Sequence, residues 1–258
     1  MELIDTHCHL DAADFDADRR QVLERARQQG VRSMVVPAVD AERWAGLIQL
    51  CDSEQALFPA LGLHPVYLQM HKREDISALE SEIEQQQPVA VGEIGLDYFI
   101  RELDREKQRV LFEAQLEVAR NAGLPVILHV RKAHDQALSI LRRIRVIGGT
   151  AHAFNGSLQQ ARQYIDMGFK LGFGGMLTYQ RSHRLRRLAA ALPVDAIVLE
   201  TDAPDMVVAA HRGERNSPEY LPYCLRALAE VRNEDVDFLA RQTTANARSV
   251  FALPGMPS

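Results

Sequence analysis

The chain has 258 residues, 47% of them hydrophobic and 25% charged, an ordinary globular composition with length enough for a large core. Its formal net charge of -5 excludes nucleic-acid binding through bulk positive charge, so any phosphate chemistry must rest on local metal ions and a few arginines. Three cysteines without a Cys-x-x-Cys pair, no signal-type N-terminus and no apolar run near the ~18 residues of a membrane span predict a reducing, cytoplasmic setting.

Apolar runs recur along the chain at 3–4, 31–36, 56–61, 89–91, 125–128, 149–151, 169–173 and 196–199. Their continuous rather than alternating apolar character suits strands buried on both faces of a parallel sheet. Helical patterns fill the gaps. The segment 15–29 places Val22, Leu23 and Ala26 on one face and ends at Gly30, and 41–53 and 75–87 follow, the latter stopped by Pro88. The longest, 104–121, carries Val110, Leu111, Ala114, Leu116 and Val118 at helical spacing. Further helices are expected over 134–145, 157–167, 182–192, 218–231 and 233–251. Eight strand-helix units in a chain of this length predict one (β/α)8 TIM barrel over 1–258. A doubly wound sheet usually carries a Gly-rich phosphate loop after its first strand, and Asp5-Thr6-His7-Cys8-His9 is not one.

In such a barrel the chemistry collects at the C-terminal ends of the strands. There the sequence places His7 and His9, then His64, Glu93, His129 with Arg131, His152, and Asp202. Side chains two apart on an extended segment point the same way, so His7 and His9 can close on one metal ion. Alone, His129 or His152 reads as a hydrogen-bonded core histidine, and Glu93 or Asp202 as a helix cap or ion-pair partner. Together, His7, His9, Glu93, His129, His152 and Asp202 at one end of one scaffold read as a metal centre. His7, His9 and Asp202 would hold one divalent ion, His129 and His152 a second, and Glu93 would bridge them. Two ions ~3.5–4 Å apart activate a shared water and clamp the attacked group. Asp202 is the candidate general base. Arg131 matches a phosphoryl oxygen and His64 can donate to the same group, though a surface arginine and a loop-capping histidine are equally good readings. His71, His134, His183 and His211 are expected at the solvated surface, Cys8 in packing, and Cys51 and Cys224 on the buried faces of helices.

The motifs around these residues, Asp5-Thr6-His7-Cys8-His9-Leu10-Asp11, Gly62-Leu63-His64-Pro65, Gly92-Glu93-Ile94-Gly95-Leu96-Asp97-Tyr98, His129-Val130-Arg131-Lys132-Ala133, His152-Ala153-Phe154-Asn155-Gly156 and Leu199-Glu200-Thr201-Asp202-Ala203-Pro204, resemble in order the signatures of the TatD family, and most of all its YjjV branch. The resemblance runs from Ile4 to about Asn246. It implies a metal-dependent hydrolase of the amidohydrolase superfamily with His7, His9, Glu93, His129, His152 and Asp202 as ligands. Glu93 would stand where related amidohydrolases carry a carbamylated lysine. It also implies deoxyribonuclease activity, in several relatives a 3′-to-5′ exonuclease activity on single-stranded DNA, and it sets His64 near the substrate. The His152 motif often reads His-Cys-Phe-Ser-Gly in relatives, so the substrate contacts around Ala153 and Asn155 differ here. Two divalent ions are expected, zinc, manganese or magnesium. Four imidazoles favour zinc, manganese or iron on ligand softness, whereas family nucleases are often described as magnesium-dependent.

Arg181, Arg184, Arg186 and Arg187, with His183, follow the seventh strand and read either as a lip for a nucleic-acid backbone or as a solvated helix face. Bases would stack on Tyr67, Tyr98, Phe99, Phe154 or Tyr179. The expected partner is DNA or a nucleotide, with no membrane and no obligate protein partner, and the expected state is a monomer. The competing readings are a small-molecule amide, lactone or phosphoester hydrolase, and a metal-binding interaction protein that has lost catalysis.

Overall fold

The computed structural model describes residues 2–254, and the ends of the expected 1–258 unit lie outside them. Eight parallel strands pair in chain order: β1 (Leu3–Asp5), β2 (Val31–Pro37), β3 (Leu57–Leu61), β4 (Ala90–Asp97), β5 (Val126–Arg131), β6 (Gly149–Ala151), β7 (Phe169–Phe173) and β8 (Ile197–Leu199). Helices α1 (Arg19–Gln28), α2 (Trp44–Ser53), α3 (Asp75–Gln86), α4 (Arg105–Ala122), α5 (His134–Arg143), α6 (Leu158–Asp166) and α7 (His183–Ala191) follow the first seven strands. After β8 come α8 (Leu221–Arg232) and α9 (Val236–Phe251). This is the expected TIM-barrel architecture. Among the described residues no helix is long and apolar enough to cross a membrane.

Alternate strand positions divide into two apolar layers, as the two-residue period of a strand requires. Leu3, Val36, Leu61, Val91 and Leu128 pack with the helices, while Ile4, Val35, Ala60, Ala90, Ile127 and Val198 form an inner cluster joined by Ala247, Phe251 and Leu253. Helix α4 buries Phe112, Leu116 and Ala119, one face of a 3.6-residue period, and Asp104 caps its start by accepting from the backbone N–H groups of Glu106 and Lys107. Ser157 and Gln160 form a reciprocal capping box at α6. All three cysteines are buried as free thiols.

Two expected boundaries move, for identifiable reasons. The run 89–91 is only the start of β4, which continues through Glu93 to Asp97 and pairs Gly95 with His129 and Asp97 with Arg131. Gly92, Glu93 and Gly95 interrupt the apolar pattern, yet the close approach of the two strands demands glycine: a Cβ on Gly95 would stand 2.0 Å from the carbonyl oxygen of His129. The starts expected at 15, 41 and 218 fall instead in short 3-10 turns, Ala13–Phe15, Ala41–Arg43 and Pro218–Tyr220, ahead of α1, α2 and α8.

The barrel closes between β8 and β1 through individual bonds rather than a ladder. The backbone N–H and side-chain hydroxyl of Thr6 both donate to the carbonyl of Leu199, each at 3.0 Å, and the N–H of Asp202 donates to the carbonyl of His7 at 2.8 Å. The buried Asp5 carboxylate accepts from the Thr201 N–H at 3.0 Å and the Thr201 hydroxyl at 2.5 Å. From α9, Asn246 donates to the carbonyls of Val194 and Ile197. The seam so stitched is the one from which His7, His9 and Asp202 emerge.

Candidate metal centre

His7 and His9 follow β1, His64 follows β3, Glu93 lies within β4, His129 within β5, His152 just beyond β6, and Asp202 beyond β8. The structure brings all of them to the C-terminal rim around one buried carboxylate. Glu93 Oε2 is 3.1 Å from His7 Nε2 and 3.3 Å from His9 Nε2. Its other oxygen, Oε1, is 2.8 Å from His152 Nε2, 2.9 Å from His129 Nδ1 and 3.3 Å from His64 Nε2. Asp202 Oδ1 lies 3.5 Å from His7 Nε2 and 3.7 Å from His9 Nε2. One carboxylate thus faces two groups of donors, one with each oxygen.

Second contacts fix the rings. His9 Nδ1 donates to the carbonyl of Pro37 at 3.1 Å, because a carbonyl can only accept, and this leaves a lone pair on Nε2. His129 Nε2 donates to Asp97 Oδ2 at 3.1 Å and leaves a lone pair on Nδ1. His64 is opposite. The Val66 N–H donates to its Nδ1 at 3.1 Å, so the neutral ring carries its proton on Nε2, the atom that faces Glu93. By proximity His64, Glu93 and His129 make a possible ligand group, but the tautomer makes His64 a donor rather than a ligand.

The electrostatics suit a cation. His7 Nε2 and His9 Nε2 are 3.2 Å apart, as are His129 Nδ1 and His152 Nε2. Glu93 Oε2 is buried and accepts no hydrogen bond, despite two imidazole nitrogens within 3.3 Å. Burial opposes its charge, yet His152, His64 and His7 hold the Glu93 carboxyl well below its usual range. Burial pushes His7 down to about 3. His9 and His152 resist burial and rise to about 9 and about 10, chiefly through Glu93 and Asp202. Without an ion, protons on these rings supply the positive charge that Glu93 requires. Imidazole nitrogens and carboxylate oxygens crowded within a few ångströms are the donor set of a divalent metal, and the residues fit one.

Three carboxyls escape a reading of the sequence for ligands. Asp5 accepts from the His7 N–H and from Thr201, and burial pushes it up to about 7. Asp97 orients His129. Glu200 accepts from the Ala153 N–H at 2.5 Å, and burial lifts it to about 8. A Cβ on Gly172 would lie 2.0 Å from Glu200 Oε2, so glycine makes its room. Each stands within four residues of a ligand-type side chain and inside one of the motifs quoted above, but the pattern gives it no role of its own.

A cavity of about 930 Å³ opens over the centre, lined by His129, Arg131, His152 and Asp202 and, from the α7 side, by Arg181, Arg184 and Arg187. Arg131 is exposed there, its guanidinium 3.7 Å from the centroid of the Phe99 ring. His134 is not at the surface as expected. It is 8% exposed, with Nδ1 3.3 Å from the Tyr164 hydroxyl and Nε2 3.3 Å from Asn155 Oδ1, because the start of α5 tucks under the loop that follows His152. His71 is also partly covered, and its Nε2 donates to the His64 carbonyl at 2.8 Å.

Residues 4–252 match the family model described as TatD-related DNase. The chain belongs to the TatD family. The metal-dependent hydrolase YjjV of Escherichia coli (strain K12) is 41% identical over 254 residues, covering 97% of this chain and 98% of that one. A metal-dependent hydrolase of Haemophilus influenzae is 38% identical over 98% of this chain and 100% of its own length. The crystal structure of E. coli YjjV, a TatD homologue, superposes with a TM-score of 0.94 at 40% identity over 98% of both chains. The TatD chain described here is accordingly a metal-dependent hydrolase, with buried clusters suited to metal ions at its strand ends.

Proposed function

We propose that this hydrolase is a phosphodiesterase acting on DNA, a deoxyribonuclease that releases nucleotides 3′-to-5′ from single strands. The observation that carries the reading is the carboxylate of Glu93, whose two oxygens face two separate imidazole groups. His7, His9 and Asp202 would hold one ion, His129 and His152 the other, and Glu93 both. When bound, divalent ions there lower the pKa of a water and polarise a phosphoryl oxygen. Zinc or manganese suits the imidazoles on ligand softness, with magnesium the alternative for turnover.

The chain's own groups do the rest. Asp202 is a carboxyl that burial raises above its ordinary range, which suits acceptance of a proton from the attacking water. His64 presents Nε2–H beside the centre and donates to a phosphoryl oxygen. Arg131 presents a flat guanidinium at the cavity wall, held against Phe99, and binds the same group. The cavity of about 930 Å³ lies at the large end of the range for small-ligand sites, which favours a nucleotide over a compact amide or lactone. The complete donor set speaks against a protein that has lost catalysis. Three buried free thiols support a cytoplasmic location. A monomer would suffice, since every named group comes from one chain.

The test is release of mononucleotides from labelled single-stranded DNA by the manganese- or magnesium-loaded protein. Glu93→Ala should fall to background and bind less metal per chain. Equal activity in that variant would assign the nuclease to a contaminant, and activity on lactones or amides alone would favour the second class of hydrolase.

A further inference from the structure

The arginine run after β7 splits by helical phase. Arg186 turns away from the cavity, donating to Glu230 at 2.7 Å and to the Leu177 carbonyl at 3.1 Å. Arg184 and Arg187, one turn apart on α7, join Arg181 from the preceding loop on the wall of the cavity that contains His129, His152 and Asp202. All three are exposed, and among the described residues none pairs with a carboxylate. Arg184 donates to the carbonyl of Asn155 at 3.1 Å and is thereby tethered to the loop that follows His152. Ser182, at the N-terminus of α7, makes no side-chain cap and also lines the cavity. The acids of the cavity, Asp202 and Asp205, come instead from the loop after β8.

We propose that Arg181, Arg184 and Arg187 form a second phosphate subsite, which takes a phosphate of the substrate other than the one attacked. The inference rests on the phosphodiesterase reading and narrows its substrate to chains with at least two phosphates within reach of the cavity. Phosphodiesters along a strand and a terminal phosphomonoester share the required chemistry. The loop geometry also gives Asn155 a purpose beyond packing, since its carbonyl orients Arg184 and its side chain meets His134.

The decisive measurement is binding rather than turnover. Full-length protein is titrated against a 5′-fluorescein tetrathymidylate in EDTA, with fluorescence anisotropy read over a range of salt. The triple variant Arg181→Ala, Arg184→Ala, Arg187→Ala should bind about tenfold or more weakly, and its log–log salt slope should be shallower by about 2. Arg186→Ala should match the parent. Repeating the titration with a 3′-phosphorylated tetramer separates the sources. A gain in affinity seen only in the parent assigns a terminal phosphate, and equal affinity for both tetramers assigns a backbone phosphate. Unchanged affinity and slope in the triple variant would overturn the subsite, as would an equal loss in Arg186→Ala. Hydrolysis of bis(p-nitrophenyl) phosphate by the metal-loaded parent tests the phosphodiesterase reading separately, and its absence would remove that reading without touching the binding result.

Discussion

At the strand ends, His9 and His129 each commit one ring nitrogen to a fixed partner, the Pro37 carbonyl and the Asp97 carboxylate, so that the other points at Glu93. Across the same cavity Arg181 and Arg187 have no hydrogen-bond partner among the described residues, and Arg184 has one backbone carbonyl. The two walls meet over one substrate space and are built in opposite ways. Bond cleavage depends on placement to a few tenths of an ångström, which strands and buried second contacts supply. Holding a flexible polyanion depends on charge and reach, which long exposed arginines supply at little cost to the fold. The distinction predicts that changes at the strand ends act on metal and rate, whereas changes on α7 act on affinity and salt dependence.

His64 is the sharpest way to break that division, because it lies at the strand ends yet is assigned a donor's role. His64→Ala should lower kcat/KM by about 100-fold or more, the scale for loss of a positioned donor or acid. Metal content per chain, measured by elemental analysis, should stay at the parent level. If the variant loses an ion along with its activity, Nε2 is a ligand and the proton assignment that rests on the Val66 N–H is wrong.

Asp97 sharpens the comparison at smaller amplitude. Its carboxylate accepts from His129 Nε2, from the Phe99 N–H at 2.8 Å and from the Ile100 N–H at 3.2 Å. Asp97→Asn keeps the shape and removes the charge that fixes the His129 tautomer. Metal affinity, read by competition with a chelator, should weaken about 10- to 100-fold. The α7 variants should leave it unchanged. An Asp97→Asn protein with parental affinity would show that the β4–β5 backbone alone orients the ring.

The chain's own pattern discloses the strands and the ligand-type side chains together, because both obey local rules. Apolar runs mark β1 to β8, and the chemistry stands at their ends. Where that reading fails, the missing information is three-dimensional. The end of β4 is hidden because Gly92, Glu93 and Gly95 interrupt the apolar run, while Gly95 in fact lets two strands approach closely. Asp5 and Glu200 stand in the motifs without a role, and only the closing seam and the loop after His152 show them buried as hydrogen-bond acceptors. His134 begins a helix, where a few residues of periodicity do not set which way a side chain points. The arginines at 181, 184, 186 and 187 leave two readings open in sequence, and only the packing of α7 against α8 shows that Arg186 turns to Glu230 while the others face the cavity.

His134 offers the smallest effect. Burial lowers its pKa from 6.5, and the bond to Asn155 only partly opposes that. The folded ring therefore resists a proton that the unfolded chain accepts. Its contribution to stability is present above pH 6.5 and is lost as the pH falls below that value. Between pH 7 and 5 the parent should lose more melting temperature than His134→Gln, whose neutral amide can still donate to Asn155 Oδ1. Thermal melts of both proteins at the two pH values read the sign of the difference. Parallel melting curves would show that His134 does not charge in this range.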